Sequence, residues 1–314
     1  MARQKAPGKA HRKGITLVEV MDMFPDKQAA TEWFERQVWG DSGRCCGHCG
    51  SVQTKQVPSA KPMPYWCRDC RSYFSVRTGT PLACSNVCIR KWAIAVYLVS
   101  TSLKGVSSMK LHRDLGVTQR TAWYMLHRLR KAWEEESDDP FDGPVEMDET
   151  YIGGKRKNMP KHKREELTGR GAVGKAAVVG IKDRDSNRVA AAPMASVNQE
   201  SVGEMVGSEV SAEATVYTDE SSVYNKLDNH EAVNHSGGEY VRGEAHVNGI
   251  ESFWSMFKRG YYGTYHRMSA KHLHRYVTEF TGRHNVRDQD TLDQMQAMVA
   301  GLVGKRLLYR ELVA

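Results

Sequence analysis

An α/β fold built on a mixed sheet is predicted for this 314-residue chain, preceded by a small metal-stapled unit and a helical region. Three observations carry that prediction. Two C-x2-C pairs, Cys46-Gly-His-Cys49 and Cys67-Arg-Asp-Cys70, bracket residues 50–66. Beyond a hinge rich in acids and proline, strand patterns alternate with helical ones, starting at Val145-Glu-Met-Asp-Glu-Thr-Tyr151. Two of the predicted strands carry an aspartate, Asp148 within one and Asp219 at the end of another, and an amphipathic helix carries Glu251.

Composition narrows the classes. Hydrophobic residues make up 40% of the chain, enough for a buried core, and a net charge of +8 favours a polyanionic partner. No apolar run reaches membrane-spanning length, and no apolar signal core follows the basic start, so no membrane is expected and the location is expected to be cytoplasmic. Seven cysteines, four of them in the two pairs, argue for metal rather than disulfides.

Residues 1–40 read as a basic arm (Arg3, Lys5, Lys9, Arg12, Lys13) and a helix from Asp26 to Trp39, with Asp26 as N-cap and Ala30, Trp33, Phe34 and Val38 on one face. Residues 41–82 read as a zinc ribbon. Each knuckle sets two thiolates on a tight turn, so Cys46, Cys49, Cys67 and Cys70 complete a tetrahedral Zn²⁺ site, with Tyr65-Trp66 and Tyr73–Val76 as short strands. The C-x2-C register selects Cys46 over Cys45, and Cys84 and Cys88 read as buried or free thiols.

Residues 83–137 read as a helix-turn-helix region. An apolar helix spans Cys88 to Ser102. A short helix then ends at Gly116, and another, capped by Thr118, is expected to run to about Glu136. Ala122, Met125, Leu126, Leu129 and Trp133 line its apolar face. Thr118, Gln119, Arg120, Tyr124, His127 and Arg128 are the expected contacts to double-stranded DNA.

Residues 138–290 read as the catalytic domain, and 291–314 as a C-terminal helix. After the first strand, a basic loop (Lys155 to Lys175) leads to a hairpin of Ala176–Ile181 and Arg188–Met194. A helix over Asn198–Val210, the Thr215–Asp219 strand, a short helix at Ser221–Leu227, a short strand at Glu231–His235, a loop at Gly237–Gly243 and a last helix follow. Three strands, then helices alternating with two more strands, is ribonuclease H-like order, with helices on both faces. The fold hosts many chemistries, so function must come from the site.

Alternation puts Asp148 on the face opposite Met147 and Glu149. A carboxylate in mid-strand costs stability unless something binds it. On the last helix Ile250, Phe253, Trp254 and Phe257 form the buried stripe, while Glu251 and Lys258, two turns apart, project the same way beside Asn248. Asp148, Asp219 and Glu251 suit two Mg²⁺ ions, with Mn²⁺ as substitute, and Lys258 suits a phosphate.

These motifs, with Thr78-Gly-Thr, Leu115-Gly-Val-Thr, Met147-Asp-Glu-Thr-Tyr-Ile-Gly-Gly-Lys155, Thr218-Asp219, His246-Val-Asn-Gly-Ile-Glu-Ser-Phe-Trp-Ser and Lys258-Arg-Gly, resemble the bacterial insertion-sequence transposases of the DDE superfamily. The resemblance is to the ISXO-like group with an N-terminal zinc ribbon and spans about Asp26 to Arg287. It implies transposition of an element bounded by terminal inverted repeats, with Asp148 and Asp219 as metal ligands and a homo-oligomer on paired DNA ends. Some relatives have asparagine as the third active-site residue, which sets Asn248 beside Glu251 for that role. Two other classes fit the same residues: a zinc-ribbon and helix-turn-helix DNA-binding regulator with an inactive catalytic domain, and a ribonuclease H-like nuclease.

Overall fold

A computed structural model describes residues 13–134, 139–154, 156–168, 172–219, 221–233 and 246–314. Arg3 to Arg12 of the basic arm, residues 135–138 of the acidic hinge, Lys155 and Arg170 of the basic loop, residues 234–235 of the predicted last strand and the whole 237–243 loop lie outside them. The chain divides into two compact units, Met1–Glu135 with Val286–Ala314, and Glu136–Asn285.

The first unit is mostly helical. Helices α1 (Leu17–Met23) and α2 (Lys27–Trp39) start at side-chain caps, Thr16 and Asp26, which accept from otherwise unpaired backbone N–H groups. The ribbon strands β1 (Thr54–Gln56), β2 (Tyr65–Cys67) and β3 (Tyr73–Phe74) form an antiparallel sheet in chain order. Helix α3 (Ile89–Thr101) is apolar nearly all round and is the centre of the core. Helices α4 (Ser108–Leu115) and α5 (Gln119–Arg130) are joined through Gly116, which takes the left-handed conformation (φ 56°, ψ 47°) that glycine adopts without Cβ strain. Helix α5 gives way to a 3₁₀ turn over Lys131–Trp133, short of the predicted Glu136.

The second unit holds β4 (Val145–Ile152), a short helix α6 (Lys161–Glu166) inside the predicted basic loop, β5 (Ala176–Asp183), β6 (Val189–Met194), α7 (Gln199–Glu209), β7 (Val216–Asp219), β8 (His230–Val233), α8 (Asn248–Gly260) and α9 (Leu273–Asn285). The sheet order is β6-β5-β4-β7-β8. Strands β4, β5 and β6 form an antiparallel meander, whereas β7 pairs parallel with β4 and β8 parallel with β7. This mixed five-stranded sheet fits the expected ribonuclease H-like fold. Alternation along β4 feeds two cores. Val145 and Met147 pack with Val202 and Met205 of α7 on one face, and Ile152 packs with α8 and α9 on the other.

The chain then returns to the first unit. Helix α10 (Thr291–Ala300) places Met295 and Met298 in the core with α3, and α11 (Tyr309–Val313) closes the chain. The predicted single C-terminal helix is thus two helices separated by a turn and Lys305–Leu308. Gly301 marks the break: a Cβ there would lie 2.3 Å from the Ala132 carbonyl oxygen. None of the described helices is long and apolar enough to cross a membrane.

Candidate functional site

The cysteine cluster is assembled by local turns. Cys46 N–H donates to the Ser51 carbonyl (2.9 Å) and Gly50 N–H to the Cys46 carbonyl (2.8 Å), while Cys67 N–H repeats the first bond to Ser72 (3.0 Å). Cys46 and Cys70 sulfurs lie 3.6 Å apart, Cys49 and Cys67 3.7 Å, and all four lie within 4.8 Å of one another. Zn–S bonds of about 2.3 Å in a tetrahedron require sulfurs roughly 3.8 Å apart, so the set fits zinc. Burial pushes the Cys46 thiol up to about 12, whereas the backbone N–H of Cys70 draws Cys67 down to about 7. Phe74 and Tyr65 pack behind the thiols with Trp39. Thr78-Gly-Thr braces the first knuckle: a Cβ on Gly47 would lie 2.1 Å from the Thr78 carbonyl oxygen, and one on Gly79 2.6 Å from that of Gly47. Cys45 stays outside the cluster, and Cys84 and Cys88 are exposed free thiols.

The acids come from three elements of the second unit. Asp148 is half-buried in the middle of β4, Asp219 ends β7, and Glu251 lies exposed in the first turn of α8. Burial raises the Asp148 carboxyl to about 7, and repulsion from Glu149, Asp219 and Glu251 adds to it, against one hydrogen bond from the Glu149 N–H at 2.8 Å. Asp148 therefore sits in the field of both other predicted acids. An oxygen-only donor set with surplus negative charge fits a hard divalent cation. Asn248 and Lys258 are exposed on the same helix, and Asn248 is the first residue of its opening turn.

Two supports for this site escaped sequence reading. The first is Glu146, two residues before Asp148 on the same face of β4, its side chain 3% exposed. One oxygen accepts from Arg184 (Nε, 3.0 Å) and lies 3.2 Å from His246 Nδ1; the other accepts the Ile250 N–H at 2.8 Å. Arg184 also donates to the His246 carbonyl and stacks on Tyr217 at 4.2 Å. A strand carboxylate thus caps the start of α8, where unpaired N–H groups and the helix dipole favour an anion. Gly249 makes this approach possible, since a Cβ there would lie 2.7 Å from both Glu146 Oε2 and Lys182 Nζ. The sequence signal was an acid at i−2 from Asp148.

The second support lies on the opposite face. The Tyr224 hydroxyl donates to Glu149 Oε2, and the Ser221 N–H donates to Asp219 Oδ1 at 3.1 Å. The turn after Asp219 is thereby tied to β4. Burial raises Glu149 while the tyrosine bond lowers it, and burial beside Glu149 raises the Tyr224 phenol. Gly180 pairs with Asp148 across β4 and β5, and a Cβ there would lie 2.7 Å from the Trp254 ring. The predicted stripe of Ile250, Phe253, Trp254 and Phe257 is buried.

The predicted DNA-reading side chains divide into two groups. Thr118 caps α5, and Gln119 and Arg120 are exposed at its start. Gln119 donates to Ser108 (2.8 Å), Arg120 Nε to the Tyr309 hydroxyl (2.7 Å), and the Tyr124 hydroxyl to the Leu307 carbonyl (2.9 Å). His127 and Arg128 differ from the expectation that they lie off the apolar face. Both are buried, with the Arg128 guanidinium stacked on Tyr124 at 4.1 Å.

A family model described as an ISXO2-like transposase domain matches residues 140–285. An uncharacterized protein in transposable element ISH50 of Halobacterium salinarum is 30% identical over 266 residues, which cover 80% of this chain and 88% of that relative.

Proposed function

This chain belongs to the ISXO2-like family of insertion-sequence transposases, and from that premise we propose that it cuts DNA at the terminal inverted repeats of an element and joins the ends to a new site. The observation that carries the site assignment is the position of Asp148 in the combined field of Asp219 and Glu251. Asp148, Asp219 and Glu251 would hold Mg²⁺, with Mn²⁺ as substitute. Two such ions, when bound, stabilise charge on the attacking and leaving oxygens of an in-line phosphoryl displacement.

The remaining work falls to the protein. Glu146 fixes the start of α8 and so aims Glu251. The Tyr224–Glu149 contact fixes the turn after Asp219. Lys258, two turns beyond Glu251, would hold a phosphate as a point charge. Asn248 would be a substrate contact at the helix start. The cysteine cluster would hold structural Zn²⁺, and α4 and α5 would present Thr118, Gln119 and Arg120 to duplex DNA as a helix-turn-helix. Assembly on paired ends would make the working form a homo-oligomer.

The test is incubation of the full chain with labelled terminal-repeat DNA, target plasmid and Mg²⁺. Joined products are expected, and Asp148→Asn and Asp219→Asn should abolish them with DNA affinity retained. Nicks without joining would make the protein a nuclease, and binding without cutting would make it a regulator. Normal joining by either aspartate variant would remove that residue from the site.

A further inference from the structure

The chain from Glu251 to Glu279 contains no other acid, yet it carries Lys258, Arg259, Arg267, Lys271 and Arg275. Lys258, Arg259 and Arg267 are exposed, and among the described residues none of the three forms an ion pair. Like charges gathered this way repel one another unless an anion lies against them.

The backbone between them is irregular. Helix α8 runs without a break into a π-helical turn, Tyr261–Tyr265. Such turns are rare and concentrate at functional sites. Here the turn sorts three tyrosines. Tyr261 is buried in the core of α8 and α9. The Tyr265 hydroxyl donates to the buried Glu279 (3.0 Å). Tyr262 does neither: its side chain stands in solvent, 59% exposed, held edge-on against Tyr261 at a centroid distance of 5.0 Å. The packing explains Tyr261 and Tyr265 and leaves Tyr262 without a structural task. A single exposed aromatic is ordinary by itself. One held on a π-helical turn, with exposed Arg259 and Arg267 three and five residues to either side in the chain, offers what binds unpaired nucleic acid, cations for the backbone and a ring under a base.

We propose that the end of α8 and the π-helical turn form a sequence-independent seat for an unpaired DNA strand. Lys258, Arg259 and Arg267 take phosphates and Tyr262 stacks on a base. The proposal rests on the transposase reading for the identity of the polyanion. A strand entering at the acids would run along α8, where Glu251 and Tyr262 are roughly 16 Å apart by helical rise, and so reach the seat a few nucleotides from the scissile phosphate. The ligand is the flank frayed or cut free at the element end, not the intact duplex.

The experiment uses the full chain without divalent metal and a terminal-repeat duplex bearing a short single-stranded flank with 5-iododeoxyuridine. Irradiation should cross-link the flank to Tyr262. Tyr262→Phe should keep the cross-link and Tyr262→Ala should lose it. On oligo-dT, Arg259→Gln with Arg267→Gln should reduce the slope of log affinity against log salt by about 1.4, at about 0.7 per phosphate contact. The corresponding lysine pair should restore it. An unchanged slope, a cross-link elsewhere, or an equal loss on blunt duplex would overturn the seat. If the wild type joins ends while the seat variants behave normally, the seat fails and the transposase reading stands. If the wild type cross-links as described but neither cuts nor joins, the seat stands and that reading fails.

Discussion

The cysteine cluster and the proposed acid site of this protein are built on opposite principles. In the cysteine cluster the four ligand atoms already lie within 4.8 Å of one another, on turns closed by their own backbone hydrogen bonds. In the acid cluster the carboxylates come from β4, the end of β7 and α8, and the central carboxyl is raised by burial and by its neighbours. The first is a closed site of the kind that contributes folding energy. The second, as proposed, gathers like charges that a divalent cation would compensate. As proposed, zinc would be held by preassembled thiolates and the catalytic cation by carboxylates that repel one another without it, and each can be broken separately.

The largest effect should follow from the closed site. Cys46→Ser or Cys67→Ser should release the metal and unfold the ribbon, a loss on the order of 10 kcal/mol of metal-coupled folding energy. Elemental analysis of the wild type should give about one zinc per chain, on the four-ligand count. A ribbon that stays folded without metal would erase the contrast.

A smaller effect should follow from the brace of the open site. Glu146→Ala leaves Arg184 and the Ile250 N–H without their buried acceptor, which should cost about 3–5 kcal/mol in thermal or denaturant unfolding. In Glu146→Gln the amide oxygen can still accept one hydrogen bond but the charge is gone. It should lose joining activity while keeping most of the fold. Full activity in that variant would show that the start of α8 needs no anion.

The smallest effect is a pH dependence confined to the acid region. Asp148 is raised from 3.8 to about 7 in the folded state, so the folded protein holds that proton more tightly than the unfolded chain. The stability it contributes is present below about pH 4 and is lost as pH rises through about 7, by a few kcal/mol at most. Unfolding curves of metal-free protein should show this decline, Asp148→Asn should remove it, and Mg²⁺ should reverse it. A flat profile would mean that burial and the neighbouring acids do not hold Asp148 above its ordinary range.

The contrast also explains what sequence alone could reveal. The cysteine ligands are neighbours along the chain, and spacing was enough to pick Cys46 over Cys45. The buried stripe of α8 was readable because a helix period is local, and Asp148 because alternation along a strand is local too. Glu146 was not readable as a brace, since its partner N–H belongs to Ile250, 104 residues away. The burial of His127 and Arg128 was missed for the same reason. Helix α5 is packed into the core with Met295 and Met298 of α10, and Tyr124 meets Leu307 at a separation of 183 residues. Periodicity within α5 carries no trace of a segment that returns from the far end of the chain.

Asp148, Asp219 and Glu251 are proposed to share one divalent-cation site, and Asn248 is the residue that competes with Glu251 for it. The most direct measurement is Mn²⁺ binding to zinc-loaded full-length protein, followed by electron paramagnetic resonance and paired with end joining in Mg²⁺ and in Mn²⁺. Glu251→Gln should weaken Mn²⁺ binding, fail to join in Mg²⁺ and recover in part with Mn²⁺, which tolerates neutral ligands better, while Asn248→Ala should bind Mn²⁺ normally and retain joining. Unchanged binding and joining in Glu251→Gln, with both lost in Asn248→Ala, would contradict that assignment and move the site to the first residue of α8.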